Sequence, residues 1–93
     1  PFISNDGKLI LVFNGEIYNY IELRAELVSL GRSFVTEGDT EVLLASYCQW
    51  GVECVDHLNG MFAFALWDEK KQRLWLGRDR LGIKPLVYRF NKN

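Results

Sequence analysis

Apolar residues change their spacing several times along this chain, and each change marks a different kind of element. Phe2-Ile3-Ser4, the polar Asn5-Asp6-Gly7 and then Lys8 to Phe13 predict strand, tight turn and strand, because Asp-Gly tolerates the positive φ of hairpin turns. Leu9 to Phe13 is apolar at every position, so this second strand is expected between two layers, with neither face wet. From Tyr20 the period lengthens. Tyr20, Leu23, Leu27 and Leu30 recur at intervals of three and four, which makes one stripe of a helix. Asn19 fits its N-cap, Glu22 could reach back to the cap's backbone N–H, and Gly31 supplies the permissive residue past its end. A second helix is expected with Asp39 as cap and Glu41 in its electropositive first turn. Leu43, Tyr47 and Trp50 share one of its faces, and Gly51 ends it.

After Asn59-Gly60 the period falls to two. In Met61 to Trp67 the large Phe62, Phe64 and Leu66 point one way, while Ala63 and Ala65 point the other and allow another layer to approach closely. Asp68 to Gln72 reads as a polar turn, Arg73 to Gly77 as a returning strand, and Leu86 to Phe90 as a last strand after Pro85. No linker, repeat or low-complexity tract interrupts the chain, so residues 1–93 form one unit. Strands, two helices and strands again predict an α+β sandwich with helices laid on antiparallel sheet.

Composition narrows the function classes. With 48% hydrophobic and 25% charged residues the chain has an ordinary globular balance. Lys plus Arg at 11 against Asp plus Glu at 12 leaves a net charge of -1, which gives no footprint for nucleic acid or an anionic membrane. The apolar run Leu9 to Phe13 is far short of the ~20 residues of a membrane helix. Cys48 and Cys54 are too few for a disulfide framework and match no zinc spacing, so both are read as reduced thiols of a cytoplasmic protein, with no metal. Three Trp, four Tyr and six Phe exceed what one small core requires, and the first residue is Pro rather than Met. The expectation is a fragment whose apolar surface faces a missing remainder.

Gly77-Arg78-Asp79-Arg80-Leu81-Gly82 has the glycine spacing of a phosphate loop, but Ile83 stands where that loop needs Lys and Pro85 opposes the helix start, so it reads as a charged turn. His57, the single histidine, lacks a second ligand or acid cluster and reads as a loop residue. Asn14-Gly15-Glu16-Ile17-Tyr18-Asn19 is more informative: a buried strand runs into a polar turn that opens a helix, and sites are often built at strand ends. The Asn14 amide and the Gly15 N–H, unobstructed by a Cβ, would suit an oxyanion; the same pair could equally be an ordinary Asn-Gly turn. Asp39 likewise reads either as a cap or as a ligand carboxylate.

The segments Asn14-Gly15-Glu16-Ile17-Tyr18-Asn19, Gly38-Asp39-Thr40-Glu41, Asn59-Gly60-Met61-Phe62-Ala63-Phe64 and Gly77-Arg78-Asp79-Arg80-Leu81-Gly82-Ile83-Lys84-Pro85-Leu86 occur in an order and at a spacing that carry a resemblance. Together they resemble the glutaminase domain of glutamine-hydrolysing asparagine synthetases, of the class II glutamine amidotransferase type. The last segment is more similar to asparagine synthetases than to the phosphoribosyl or glucosamine-phosphate amidotransferases. The resemblance implies part of a four-layer αββα N-terminal-nucleophile hydrolase sandwich. Its activity splits L-glutamine to glutamate and ammonia, with a cysteine at the mature N-terminus as nucleophile and its α-amine as base. It implies Asn14 and Gly15 as the oxyanion hole, Asp39 as partner of the substrate ammonium, and Glu16 as a glutamine-binding residue.

That family's Cys-Gly-Ile segment, its carboxylate-gripping arginine and the ATP- and Mg-using synthetase domain have no counterpart in these 93 residues. The expectation is the C-terminal portion of a glutaminase domain, inactive and poorly stable when isolated, whose partners are glutamine and the rest of its parent chain. No cofactor is expected in the fragment itself. The ammonia acceptor stays open between aspartate and a polysaccharide precursor. The competing expectation is a degenerate domain that binds glutamine, or only packs, without hydrolysis.

Overall fold

In the computed structural model, which describes residues 1–78 and 86–89, strand β3 (Gly60–Asp68) buries every second residue. Gly60, Phe62, Phe64, Leu66 and Asp68 face inward, and Met61 and Ala63 face out. β2 (Leu9–Ile17) lies antiparallel to it over its whole length, from Leu9 opposite Asp68 to Ile17 opposite Gly60. β1 (Phe2–Ile3) adds to the other edge of β2 through only two rungs, Phe2 with Leu11 and Ile3 with Ile10. β4 (Arg73–Arg78) pairs with β3, and β5 (Leu86–Arg89) with β4, giving one five-stranded antiparallel sheet in sequence order. The α+β architecture is as expected. Among the described residues it comprises one sheet and one helical layer.

The helices sit between β2 and β3 in sequence. α1 (Tyr20–Ser29) buries Leu23 and Leu27, and α2 (Asp39–Trp50) buries Val42, Leu43, Leu44 and Tyr47. Leu30, expected on the α1 stripe, lies in the helix cap and is exposed. Gly31, at φ 99°, closes α1: its N–H donates to Val28 and that of Arg32 to Leu27, the paired bonds of a Schellman end. A 3-10 helix (Gly51–His57) that the sequence pattern did not reveal returns the chain to β3 and buries Cys54. The inward residues of the sheet join this helical layer in one cluster with Leu11, Ile17, Leu66 and Trp75 at its centre. Each such side chain contributes about 1.5–3 kcal/mol by leaving water.

Ser46 and a charged residue, Asp68, are both buried in that core. Asp68, expected in a turn, is the buried last residue of β3; its Oδ2 accepts from the Tyr47 hydroxyl at 2.5 Å and its Oδ1 from the Lys71 N–H at 3.1 Å. Arg73, opposite Asp68 across the sheet, donates to the Tyr47 oxygen at 3.2 Å. Burial, and then the hydrogen bond to Asp68, push the Tyr47 hydroxyl up to about 12. The opposite face of the sheet is apolar but uncovered: Ile3, Val12 and Met61 are each more than half exposed. Residues 9–13 therefore alternate between a packed and an open face here, although their sequence is apolar throughout.

Candidate functional site

Asn14-Gly15-Glu16, expected as a turn, continues the strand. Asn14 pairs with Ala63, Gly15 with Phe62 and Glu16 with Met61 before β2 ends at Ile17. The polar side chains do not end the strand because Asn14 and Glu16 fall on its open face, where both are exposed and their side chains make no hydrogen bond among the described residues. The pairing with β1 stops at Leu11, so from Val12 onward one edge of β2 has no neighbouring strand among the described residues. Backbone N–H groups alternate between the two edges of an antiparallel strand. The Leu9 backbone faces the β1 edge, bonded to Ser4, and the Ile17 N–H faces the same edge toward Asp39, so Gly15, an even number of residues from both, faces that edge too.

Gly15 has φ 126°, a region closed to side-chain-bearing residues. A Cβ there would lie 2.2 Å from the Met61 carbonyl oxygen and 2.6 Å from the Phe62 Cα. Gly60 is its counterpart on β3, where a Cβ would lie 2.2 Å from the Glu16 carbonyl oxygen. The two strands thus approach at a rung pair that only glycine allows. The Asn59-Gly60 dipeptide was the available signal for this, but it reads as punctuation before a strand.

Asp39 is the first residue of α2, and the extended Gly38 is the N-cap, so Asp39 does not cap the helix with its side chain. Its Oδ2 instead accepts the Ile17 N–H at 2.9 Å. The reason is local: β1 is too short to supply an acceptor to the end of β2. The partly buried Asp39 keeps Oδ1 without a hydrogen-bond partner among the described residues. The loop leading to it is held by Glu41, whose carboxylate accepts from the Val35 and Thr36 N–H groups and the Thr36 hydroxyl. Burial opposes ionisation of Glu41, but these bonds outweigh it and hold the group below the usual glutamate range.

Asn19 stands at the N-cap of α1 as expected but makes no capping bond, and Glu22 does not reach back to it. Its side chain spans to the other strand instead, donating to the His57 carbonyl at 2.9 Å and accepting from the Asn59 N–H at 3.0 Å. His57 ends the 3-10 helix and lies flat on Trp50, with ring centroids 3.7 Å apart. Neither cysteine is arranged as a nucleophile. Cys48 is exposed on α2, and burial raises its thiol above the ordinary value; burial drives that of Cys54, fully enclosed, up to about 12.

The structure thus gathers Asn14, Gly15, Glu16 and Asp39 at one end of β2. Among the described residues no single pocket encloses them; a cavity of about 300 Å³ beside them is lined by Phe2, Leu11, Phe13 and Thr40 on the β1 side. Among the described residues no cluster of three His, Cys, Asp or Glu could hold a metal, and no helix is long and apolar enough to cross a membrane. Gly77 and Arg78 belong to β4, and residues 79–85 of the charged segment lie outside the described residues.

A family model described as a glutamine amidotransferase domain matches residues 1–93. Asparagine synthetase [glutamine-hydrolyzing] 3 of Bacillus subtilis is 56% identical over 78 residues, covering 84% of this chain and 13% of that protein. Asparagine synthetase [glutamine-hydrolyzing] 1 of the same organism is 50% identical over 88 residues, covering 95% of the chain and 14% of the relative. Among solved structures, the glutamine phosphoribosylpyrophosphate amidotransferase from Bacillus subtilis, complexed with ADP and GMP, superposes with a TM-score of 0.68 at 28% identity, over 84% of this chain and 19% of that one. The chain therefore spans only a small part of the length of the proteins it matches.

Proposed function

Since the chain belongs to the glutamine amidotransferase domain family, we propose that it forms the glutamine-binding and oxyanion-stabilising part of an enzyme that hydrolyses glutamine to glutamate and ammonia for ATP-dependent amide synthesis, as in asparagine formation. The observation that carries this reading is the open end of β2, where the Gly15 N–H faces outward one rung pair from the Ile17 N–H that Asp39 accepts. Asn14 and Gly15 are the oxyanion donors. As a thiolate adds to the glutamine carboxamide, charge develops on the carbonyl oxygen, and a donor already aimed at it contributes about 3–4 kcal/mol in comparable sites. The close strand approach at Gly15 and Gly60 fixes the backbone carrying that donor. Collapse of the adduct expels ammonia, and water then releases glutamate from the acyl-enzyme.

Asp39 receives the substrate ammonium on Oδ1 while Oδ2 keeps the Ile17 N–H, because one carboxylate accepts at several positions. Glu16, exposed on the open face of β2, completes the glutamine contacts. The nucleophile comes from outside these residues, since Cys54 is enclosed in the core and Cys48 lies on α2, away from the end of β2. On this reading the isolated chain is inactive. ATP and Mg serve the amide-forming part of the parent, and the enzyme works in the cytoplasm.

The test is Asp39→Asn in the full-length protein. Asparagine keeps an oxygen for Ile17 but loses the charge, worth about 1.5–3 kcal/mol in a charge-assisted bond. The KM for glutamine should rise roughly 10- to 100-fold with the melting temperature unchanged. An unchanged KM would remove Asp39 from the substrate site.

A further inference from the structure

We infer that Asn19 is a positioning residue for the glutaminase reaction: by bridging His57 and Asn59 it locks the end of β2 to the start of β3 and so sets the direction of the Gly15 N–H. This rests on the glutamine-hydrolysis reading given above. The side chain uses both ends of its amide. Nδ2 donates to the His57 carbonyl, Oδ1 accepts the Asn59 N–H, and both bonds are near 3 Å. These are long-range contacts, 38 and 40 residues away, made by a residue only two positions past the end of β2.

What they brace is the rung pair that glycine alone permits. Asn59 immediately precedes Gly60, which lies opposite Ile17 and against the Glu16 backbone, and the next residues, Met61 and Phe62, lie against Gly15. The Tyr18 N–H closes the same corner by donating to the Asn59 carbonyl. His57 is itself held by its stack on Trp50, so the acceptor at the far end of the bridge is fixed. On the other side of β2, Asp39 holds Ile17. The oxyanion segment is thus tied at one end from two directions, and Asn19 supplies the tie to β3. Asn19 need not touch substrate to do this. A shift of about 1 Å in a catalytic donor is enough to cost on the order of a hundredfold in rate.

The experiment uses the full-length protein with Asn19→Ala and Asn19→Asp. Aspartate keeps the acceptor for Asn59 but sets a carboxylate oxygen against the His57 carbonyl, so it separates the two bonds and stands in if the alanine variant does not fold. Ammonia release from glutamine gives kcat and KM at a temperature well below each variant's melt, and hydrogen exchange followed by mass spectrometry reads the backbone over residues 14–18. Expected are a kcat lowered about 10- to 100-fold, a glutamine KM within twofold of wild type, and exchange over 14–18 at least about 10-fold faster, while β4 is unchanged. A merely structural role would lower the melting temperature and leave kcat below the melt intact. Unchanged exchange over residues 14–18, or a KM change with kcat preserved, overturns the inference. If the wild-type protein releases no ammonia, the glutaminase reading fails by itself, and the exchange measurement still decides whether Asn19 braces Gly15.

Discussion

Gly15→Ala should be among the most damaging single-methyl additions this chain can suffer, and its cost separates into two parts that other glycines isolate. The first part is conformational. Gly7, at φ 73° with nothing within 4 Å of a Cβ, carries that part alone, so Gly7→Ala should cost about 1–2 kcal/mol. The second part is steric. At Gly60, where no left-handed φ is involved, the added Cβ meets the Glu16 carbonyl at 2.2 Å, and moving two strands apart should cost about 1–3 kcal/mol. Gly15 combines a φ of 126° with a Cβ at 2.2 Å from the Met61 carbonyl, so the parts add to about 2–5 kcal/mol. That is a large share of the ~5–15 kcal/mol that stabilises a domain. Urea unfolding followed by the fluorescence of Trp50, Trp67 and Trp75 is the assay. With a slope of about 1–1.5 kcal/mol/M, the Gly15→Ala midpoint should fall by roughly 1–5 M. If Gly15→Ala lies within about 0.5 kcal/mol of Gly7→Ala, the strands are not in the close approach described, and the argument that glycine fixes the oxyanion donor fails.

Two further outcomes follow from buried groups. Tyr47→Phe should cost about 1–3 kcal/mol at neutral pH by leaving Asp68 one hydrogen bond short. Because the Tyr47 hydroxyl is raised from its ordinary value near 10 to about 12, the folded state holds that proton more tightly than the unfolded state. Its contribution is complete below pH 10 and falls by about 2–3 kcal/mol as pH rises through 12, so Tyr47→Phe should flatten the alkaline stability curve; an unaltered slope would contradict this. With a thiol reagent at pH 8, Cys48 should react in the folded protein and Cys54 only after unfolding, and equal rates at both would contradict the burial of Cys54.

The elements with strong periodicity were legible in the sequence: Phe62, Phe64 and Leu66 fall on one face of β3, and Leu23 and Leu27 on one face of α1. Gly31 and Gly51 end their helices where the pattern put them. The site was legible only in part, because its polar residues do not behave as local propensity suggests. Asn14-Gly15-Glu16 has the composition of a turn, but nine continuous rungs with β3 override it. Asn19 and Asp39 both have the identity of caps, and Asn19 stands at the cap position of α1 while Asp39 lies one residue past that of α2. Each is drawn instead to a backbone group brought near from another element, Asn59 and His57 in one case and Ile17 in the other. Such partners depend on tertiary placement, which spacing along one chain does not encode. The buried Asp68 is a similar case, since its turn-like sequence conceals a hydroxyl donor supplied by Tyr47.

The most direct test of the account is the steady-state hydrolysis of glutamine by the full-length protein with Asn14→Ala. Asn14 is exposed on the open face of β2 and its side chain makes no hydrogen bond among the described residues, so removing its amide should leave the fold intact. An oxyanion donor acts mainly in the transition state. The account predicts a kcat for ammonia release lowered by about a hundredfold or more, with the glutamine KM changed less than about threefold and the melting temperature unaltered. A kcat equal to that of the unaltered protein would contradict the assignment of this strand end as the oxyanion site.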